Sequence, residues 1–543
     1  MTAGGAAGSG SGITRARAIL ILATALAFGC ASGGREFEVP LASPYHNSAI
    51  EPYDAALRHY VVAGDTAAID RIQRKGPGDE LVRLLNRGLY LHRIGKYQES
   101  NVALQRAEQL AEDRYTKSIS QNIAAFMLND RVLDYSPSAL ERAMIHYYGM
   151  INYMVLGNEE SAIVEARRAN LFLERYNRDN AGARSYTNDA FVEHVAGLLH
   201  WSGGDYNDAL VSLRKADDAF IQYRARFGIE APTVFGEDLH MMANLVGVPE
   251  IADSAAKRYH LGPGPNAVRA GASGPSGELI VIIENGFVAH RTEDKVFIPI
   301  LESERDMLRS GEAGHILEAT AQVMIRTVGW LNQASREGRE QVRQFEGGLL
   351  VGSLLLNADL VSFAWPTYLL DANAVRNVTV RAGGDQLQAA LVEDLSSIAA
   401  RDFEERKPGI IARMVARTLF KEFSVDRIEA AGEKAGGVVG GFLARVGARS
   451  VATLTERADT RFWSLLPHEI RIARFALPVG EHHISITIED RGTSEQMDVG
   501  TVSIVDGKLS IQTVFVTGNE SGNLARFRAA TSNVDYRVPP MRN

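Results

Sequence analysis

The chain has 543 residues, a formal charge of −8, 45% apolar and 23% charged residues, and one cysteine. These are the proportions of an ordinary soluble globular protein of roughly three or four domains. The acidic balance leaves no electrostatic footprint for nucleic acid, and one cysteine excludes a disulfide within the chain, so core packing must carry the fold.

Arg15 and Arg17 precede a short apolar run, Ala18 to Phe28, followed by Gly29, Cys30 and the small polar stretch Ala31-Ser32-Gly33-Gly34. This layout marks residues 1–29 as an export signal, too short to span a membrane as a helix. Leu26-Ala27-Phe28-Gly29-Cys30 resembles a bacterial lipobox. The resemblance implies a lipidated Cys30 at the start of the mature chain. Ala31, standing where an Asp would signal inner-membrane retention, implies the outer membrane. The other reading of Cys30 is a chance or buried cysteine after an ordinary signal. Residues 30–50, with Pro40 and Pro44, read as a tether.

Residues 51–262 read as all-helical with weak repeats. Gly88-x6-Gly95-x-Tyr97-x2-Ser100-x3-Leu104-x2-Ala107 shares its offsets with Gly197-x6-Gly204-x-Tyr206-x2-Ala209-x3-Leu213-x2-Ala216. Gly157-x4-Ala162-x3-Ala166-x2-Ala169 matches the second half of the pattern. The first small residue lets two helices approach, the second Gly ends the first helix, and later small positions let the second helix nest. These offsets resemble the tetratricopeptide repeat, a 34-residue pair of antiparallel helices. The resemblance implies a degenerate array with interrupting helices such as Thr116–Leu128 and the Pro137-started Ser138–Leu156; a generic helical bundle is the alternative.

Residues 263–278, rich in Gly, Pro and Ser, read as a linker. Residues 279–424 read as an α+β domain. Asn285-Gly286 between apolar runs predicts a hairpin of Leu279–Ile283 with the strands that follow, Phe287–His290 and Lys295–Ile300. Glu312–Phe345 reads as helical, Leu360–Ala364 and Asn377–Arg381 as strands, and Gln386–Glu404 and Pro408–Phe423 as helices. The apolar stretch Gly348–Leu370 holds Asn357, Asp359 and Pro366, which argue against a spanning helix. In 425–459, Gly436/Gly440 and Gly437/Gly441 place small residues on one helix face, for packing inside the domain or for an oligomer or membrane contact. Residues 460–518 predict a small β-sandwich-like sheet with strands Ile470–Ala476, His483–Glu489, Asp498–Val505 and Leu509–Val516. Residues 519–543 read as a flexible tail. The whole is multidomain: all-α repeats, then α+β, then β.

The sequence holds no nucleophile elbow, P-loop or zincin motif; His468-Glu469 runs on to Ile-Arg-Ile-Ala. His482 and His483 alternate across a predicted strand and make poor joint ligands. The reading is therefore non-enzymatic, with no metal and no cofactor. One constellation stands out: Asp459, Arg461 and Trp463, with Pro467 closing the stretch, where a fork-to-carboxylate pair under an indole can form. Together with Tyr135-Ser136-Pro137, Glu165-Ala166-Arg167-Arg168 and Ser362-Phe363-Ala364-Trp365-Pro366, this stretch resembles an uncharacterised family of tetratricopeptide-containing bacterial lipoproteins. The resemblance carries no activity. The corner is either a partner site or an ion-paired junction between helix and sheet. The function expected is a lipid-anchored periplasmic scaffold that binds envelope proteins through the concave face of its repeats. Two rivals are a lipoprotein regulator of a peptidoglycan synthase and an envelope hydrolase or transferase. The oligomeric state is open.

Overall fold

The computed structural model describes residues 52–63, 65–67, 69–70, 79–118, 134–180, 186, 188–262, 275–310, 312–337, 359–369, 377–407, 409–410, 414–415, 458–490, 493–518, 524–526 and 530–534. Cys30 and the tether, residues 416–457 and most of the linker lie outside them. Helix α1 (Pro52–Ala63) precedes four helical hairpins. They pair α2 (Glu80–Arg93) with α3 (Tyr97–Ser118), α4 (Ala139–Val155) with α5 (Glu159–Asn180), α6 (Ala190–Ser202) with α7 (Tyr206–Phe227), and α8 (Thr233–Val246) with α9 (Pro249–Arg258).

Local chemistry sets these helices. Asp79 and Asp189 cap α2 and α6 by accepting from Leu81 N and Val192 N. Ser138 and Glu141 form a capping box at α4, satisfying donors that a helix start leaves free. Each hairpin turns at a glycine in the left-handed region: Gly95, Gly157, Gly204 and Gly247. Within the hairpins the helices approach closely, since a Cβ on Gly88 would lie 2.5 Å from Leu104 and one on Gly197 2.9 Å from Leu213. The second helix of each hairpin packs on the first helix of the next.

Strands β1 (Ser276–Asn285) and β2 (His290–Ile300), helices α10 (Glu302–Arg309) and α11 (Ala313–Glu337), and strands β3 (Asp359–Leu369), β4 (Asn377–Ala382), β5 (Asp385–Gln388) and β6 (Ala390–Asp394) follow. After helix α12 (395–407) come β7 (Glu469–Pro478), β8 (Gly480–Asp490), β9 (Thr493–Ile504), β10 (Leu509–Gly518), β11 (Leu524–Arg526) and β12 (Ala530–Val534). One sheet runs β11-β10-β1-β7-β6 with β12 also on β10, a second runs β5-β4-β8-β9, and β2 pairs with β3.

The period-two alternation of a strand makes the larger sheet two-faced. Leu279, Val281 and Ile283 of β1, with Ala473, Phe475 and Leu477 of β7, face a core shared with Ile484, Ile486 and Ile488 of the second sheet. Ile280 and Ile282 of β1, Ile470 and Ile472 of β7, and Leu509 and Ile511 of β10 face the opposite way, into one continuous core with the helical hairpins. The order is therefore helices, six-stranded sheet, four-stranded sheet.

Between the helices and the larger sheet lies the irregular segment 458–468. Phe462, Trp463, Leu465 and Leu466 are buried in the helical core. Buried backbone polar groups need partners, and the helices supply them. Arg58 Nε donates to Ser464 O at 2.9 Å and Arg93 Nη2 to Leu465 O at 2.6 Å. Trp463 N donates to Glu141 Oε1 at 2.8 Å, and Leu465 N donates to Asn86 Oδ1 at 3.2 Å.

Several expectations are corrected. The hairpin at Asn285-Gly286 does not form: β1 lies parallel to β10 and antiparallel to β7, while β2 pairs with β3. A run buried on both faces belongs in the middle of a sheet rather than at a solvated hairpin edge. Domains 279–424 and 460–518 are not separate, because β1 and β6 join β7, and β4 joins β8. The sandwich exists but draws strands from both segments. The expected helix Gln386–Glu404 begins only at 395; the residues before it form β5 and β6, since pairing with β4 and β7 overrides their helical propensity. Part of the expected flexible tail forms β11 and β12 on β10. Among the described residues no helix is long and apolar enough to cross a membrane.

Trp463 is fully buried at the joint of helices and sheet. Trp463→Ala should cost about 3–5 kcal/mol. Circular dichroism and tryptophan-independent near-ultraviolet signals should then show one melting transition at lower temperature. A variant in which only the sheet signal melts early, with the helices unmoved, contradicts the shared core.

Candidate functional site: seams and outer face of the helical array

The corner singled out in the sequence is an internal joint. Arg461 forks onto Asp459, with Nε to Oδ1 at 2.7 Å and Nη2 to Oδ2 at 3.0 Å. Its Nη1 lies 3.5 Å from Asp79 Oδ2, and its guanidinium lies 5.7 Å from the Tyr135 ring centre. Tyr135, not an indole, covers the fork. Trp463 turns away into the helical core, 5.9 Å from Tyr148, and Pro467 is buried too. Burial alone would raise the Asp79 carboxyl, but Arg114 and the N–H groups of Tyr135 and Leu81 hold it below its ordinary value. The arrangement fastens the start of segment 458–468 to the entrance of α2.

The repeat positions of the second helices all lie inward. Leu104, Ala107, Ala162, Ala166, Ala169, Ala209, Leu213 and Ala216 are buried, as are Gly88 and Gly197 at the crossings. Tyr97 and Tyr206 stand half-buried at the starts of α3 and α7. The fourth hairpin escaped the sequence reading. Its signal is Gly247-x4-Ala252, the same offset as Gly157-x4-Ala162, and Ala252 is fully buried.

Successive hairpins meet through a polar layer at a repeated position. At the first seam, His146 of α4 places Nδ1 2.9 Å from Glu165 Oε2 and Nε2 3.2 Å from Glu108 Oε1. Burial disfavours the charged ring, but the two carboxylates outweigh it and raise the imidazole above its ordinary value. Gly149 gives Glu165 its room, since a Cβ there would lie 3.1 Å from Glu165 Cγ. Glu108 stands thirteen residues after its turn glycine, His146 eleven before the next and Glu165 eight after it. The same offsets in the next seam give Asn170, Glu193 and Ser212, where Asn170 Nδ2 donates to Ser212 Oγ at 2.8 Å. In the third seam the first position is Asp217, held by Tyr259 Oη and Arg258 Nη1.

Glu108, His146 and Glu165 bring three possible ligand atoms within 4.8 Å of one another, as do His200, Asp205 and Asp208. In the first group each ring nitrogen already faces a carboxylate, and Arg168 Nη1 donates to Glu165 Oε1 at 2.8 Å. That donor set favours an imidazolium clamped on both sides, with charge balanced by the arginine.

A second buried acid set lies where α6 meets β6. Burial pushes Asp189 up to about 6, against the N–H groups of its helix start, and pushes Glu193 up to about 8, against the pull of Lys215. Burial also raises Glu393, which accepts from Tyr223 Oη at 3.0 Å, well above its ordinary value.

The outward faces of the second helices carry a regular feature. Val102 of α3, Val164 of α5 and Val211 of α7 are 64%, 39% and 43% exposed. Each lies seven residues after its turn glycine. Cross-helix pairs, Arg175 with Glu112 at 2.8 Å and Lys215 with Glu174 at 3.6 Å, hold the three helices side by side. The valines therefore form a row across the array, with Leu171 of α5 exposed two turns further along. The recurrence was readable in the sequence, but exposure was not, because valine at a helical period normally marks a core face.

Comparison with known proteins finds no matching family model, no similar curated protein and no similar solved structure.

Glu193 sets a pH dependence. Its folded value stands above the unfolded 4.5, so its stabilising share is full below pH 4.5 and is lost as pH rises through about 8. Glu193→Gln should therefore flatten the loss of stability between about pH 4.5 and pH 8, by up to about 5 kcal/mol in urea unfolding. An unchanged slope would show that Glu193 ionises freely in the folded chain.

Proposed function

We propose that the chain is a non-catalytic, lipid-anchored scaffold of the bacterial cell envelope. Its helical part is read as a degenerate tetratricopeptide-like array, supported by the shared offsets around Gly95, Gly157, Gly204 and Gly247. Cys30 is the lipidation site in this reading, the membrane contact is its lipid, and the outer membrane is the location. Several acyl chains hold a protein far better than one.

The carrying observation is the exposed valine row. The first-helix face, the expected peptide groove, is filled by Phe462–Leu466 and the larger sheet. The array therefore uses that face to hold its own C-terminal part. What remains to meet partners is the face of α3, α5 and α7, where an apolar residue is kept exposed at one repeat offset in three consecutive hairpins.

A photoreactive residue placed at Val164 or Val211 in the lipidated protein should capture proteins in intact envelopes, while one at the exposed Lys257 of α9 should not. Equal capture at all three positions, or none at Val164 and Val211, contradicts this reading.

A further inference from the structure

We infer that the protein seated on the valine row is a second copy of this chain, paired about a two-fold axis running along the row. The inference rests on the outer face being the docking face and names its occupant.

The row is flanked by charge bands of opposite sign. About one turn toward each helix start stands an exposed acid: Glu99 on α3, Glu160 on α5 and Asp208 on α7. About one turn toward each helix end stands an exposed base: Arg106, Arg167 with Arg168, and Arg214. Acid, valine and base thus recur in that order on three adjacent helices, and one turn is about 5.4 Å.

Two copies facing each other can be related by a two-fold axis along the row or along the helices. An axis along the helices lays Glu160 of α5 on its own copy and Arg167 on its own copy, which is repulsive. An axis along the row inverts the helix direction and lays each acid band on the partner's base band, with the valine of α5 over its own copy. Isologous contacts require this kind of self-complementarity. Arg167 and Arg168 pair within one chain with Asp205 and Glu165, yet remain 52% and 49% exposed, leaving donors for a second carboxylate. An anionic membrane surface suits the arrangement less well, because the acid band would face it with the same sign.

At the usual helix spacing of about 8–10 Å, the patch is three helices wide and about three turns long. That is roughly 400–500 Å² per copy, about 800–1,000 Å² in all, the size of a weak, transient pairing rather than of a stable dimer. Two copies tethered to one membrane would meet at a raised effective concentration.

The test uses the full chain with Cys30→Ala and Val164→Cys, so that position 164 holds the one thiol. Mild oxidation should give dimers cross-linked through position 164 in at least tenfold higher yield than Cys30→Ala with Lys257→Cys. Asp208→Lys or Arg214→Glu added singly should lower the yield about tenfold, and mixing the two variants should restore it. Circular dichroism confirms that each variant is folded. Equal yields at positions 164 and 257, or no rescue on mixing, overturns the pairing. Protection of the thiol at position 164 from a water-soluble maleimide by anionic vesicles, without dimers, also overturns it in favour of a membrane contact. If the envelope capture at Val164 succeeds but yields only other proteins, the docking face stands and the self-pairing falls. If that capture fails as well, both fall.

Discussion

Irregular backbone buried in a core must have its polar groups satisfied, and the segment around Trp463 depends on side chains 322 to 406 residues earlier in the chain. Glu141 serves two structures at once. It closes the capping box of α4 and accepts the Trp463 N–H. Arg58 and Arg93 play a similar double part, donating to carbonyls of the segment and of Val288 while stacking on Phe287 and Phe515. Removing one partner leaves a buried polar group uncompensated. The helices and sheets are thereby one folding unit, and the six-stranded sheet is the layer that both remaining layers share.

This constraint changes where function can reside. An open array would offer its first helices to a peptide. Here the two central ones are sealed: nearly every residue of α4 and α6 is buried. The polar layers at the seams are likewise internal, fixing how one hairpin sits on the next. Where they are paired on every side, as around His146, buried polar groups of this kind favour one register over others. On the second helices Val102, Val164 and Val211 stay exposed, where the core imposes little.

Much of the fold was legible from local pattern. The capping residues of α4, the turn glycines and the strands β7 to β10 depend on near neighbours, and their periodicity announces them. What the sequence could not convey was pairing across long separations. Ser276–Asn285 looks like one arm of a hairpin because Asn-Gly follows it; its real partners lie near residues 470 and 510. Residues 386–394 carry helical propensity and become strands because β4 and β7 present open edges. The Asp459–Arg461 fork was readable as chemistry, since both residues sit within one turn of each other. Its role as an internal joint was not, because Asp79 and Tyr135 reach it only through the tertiary fold.

The central claim is that the helical array and the β layers fold as one body around segment 458–468. Native-state hydrogen exchange followed by mass spectrometry tests it most directly. Peptides from α4, α6, β1 and β7 should share one highest level of protection and lose it together as denaturant rises. Earlier release of the β1 and β7 peptides, with α4 and α6 still protected, would show a self-sufficient helical array and contradict the account.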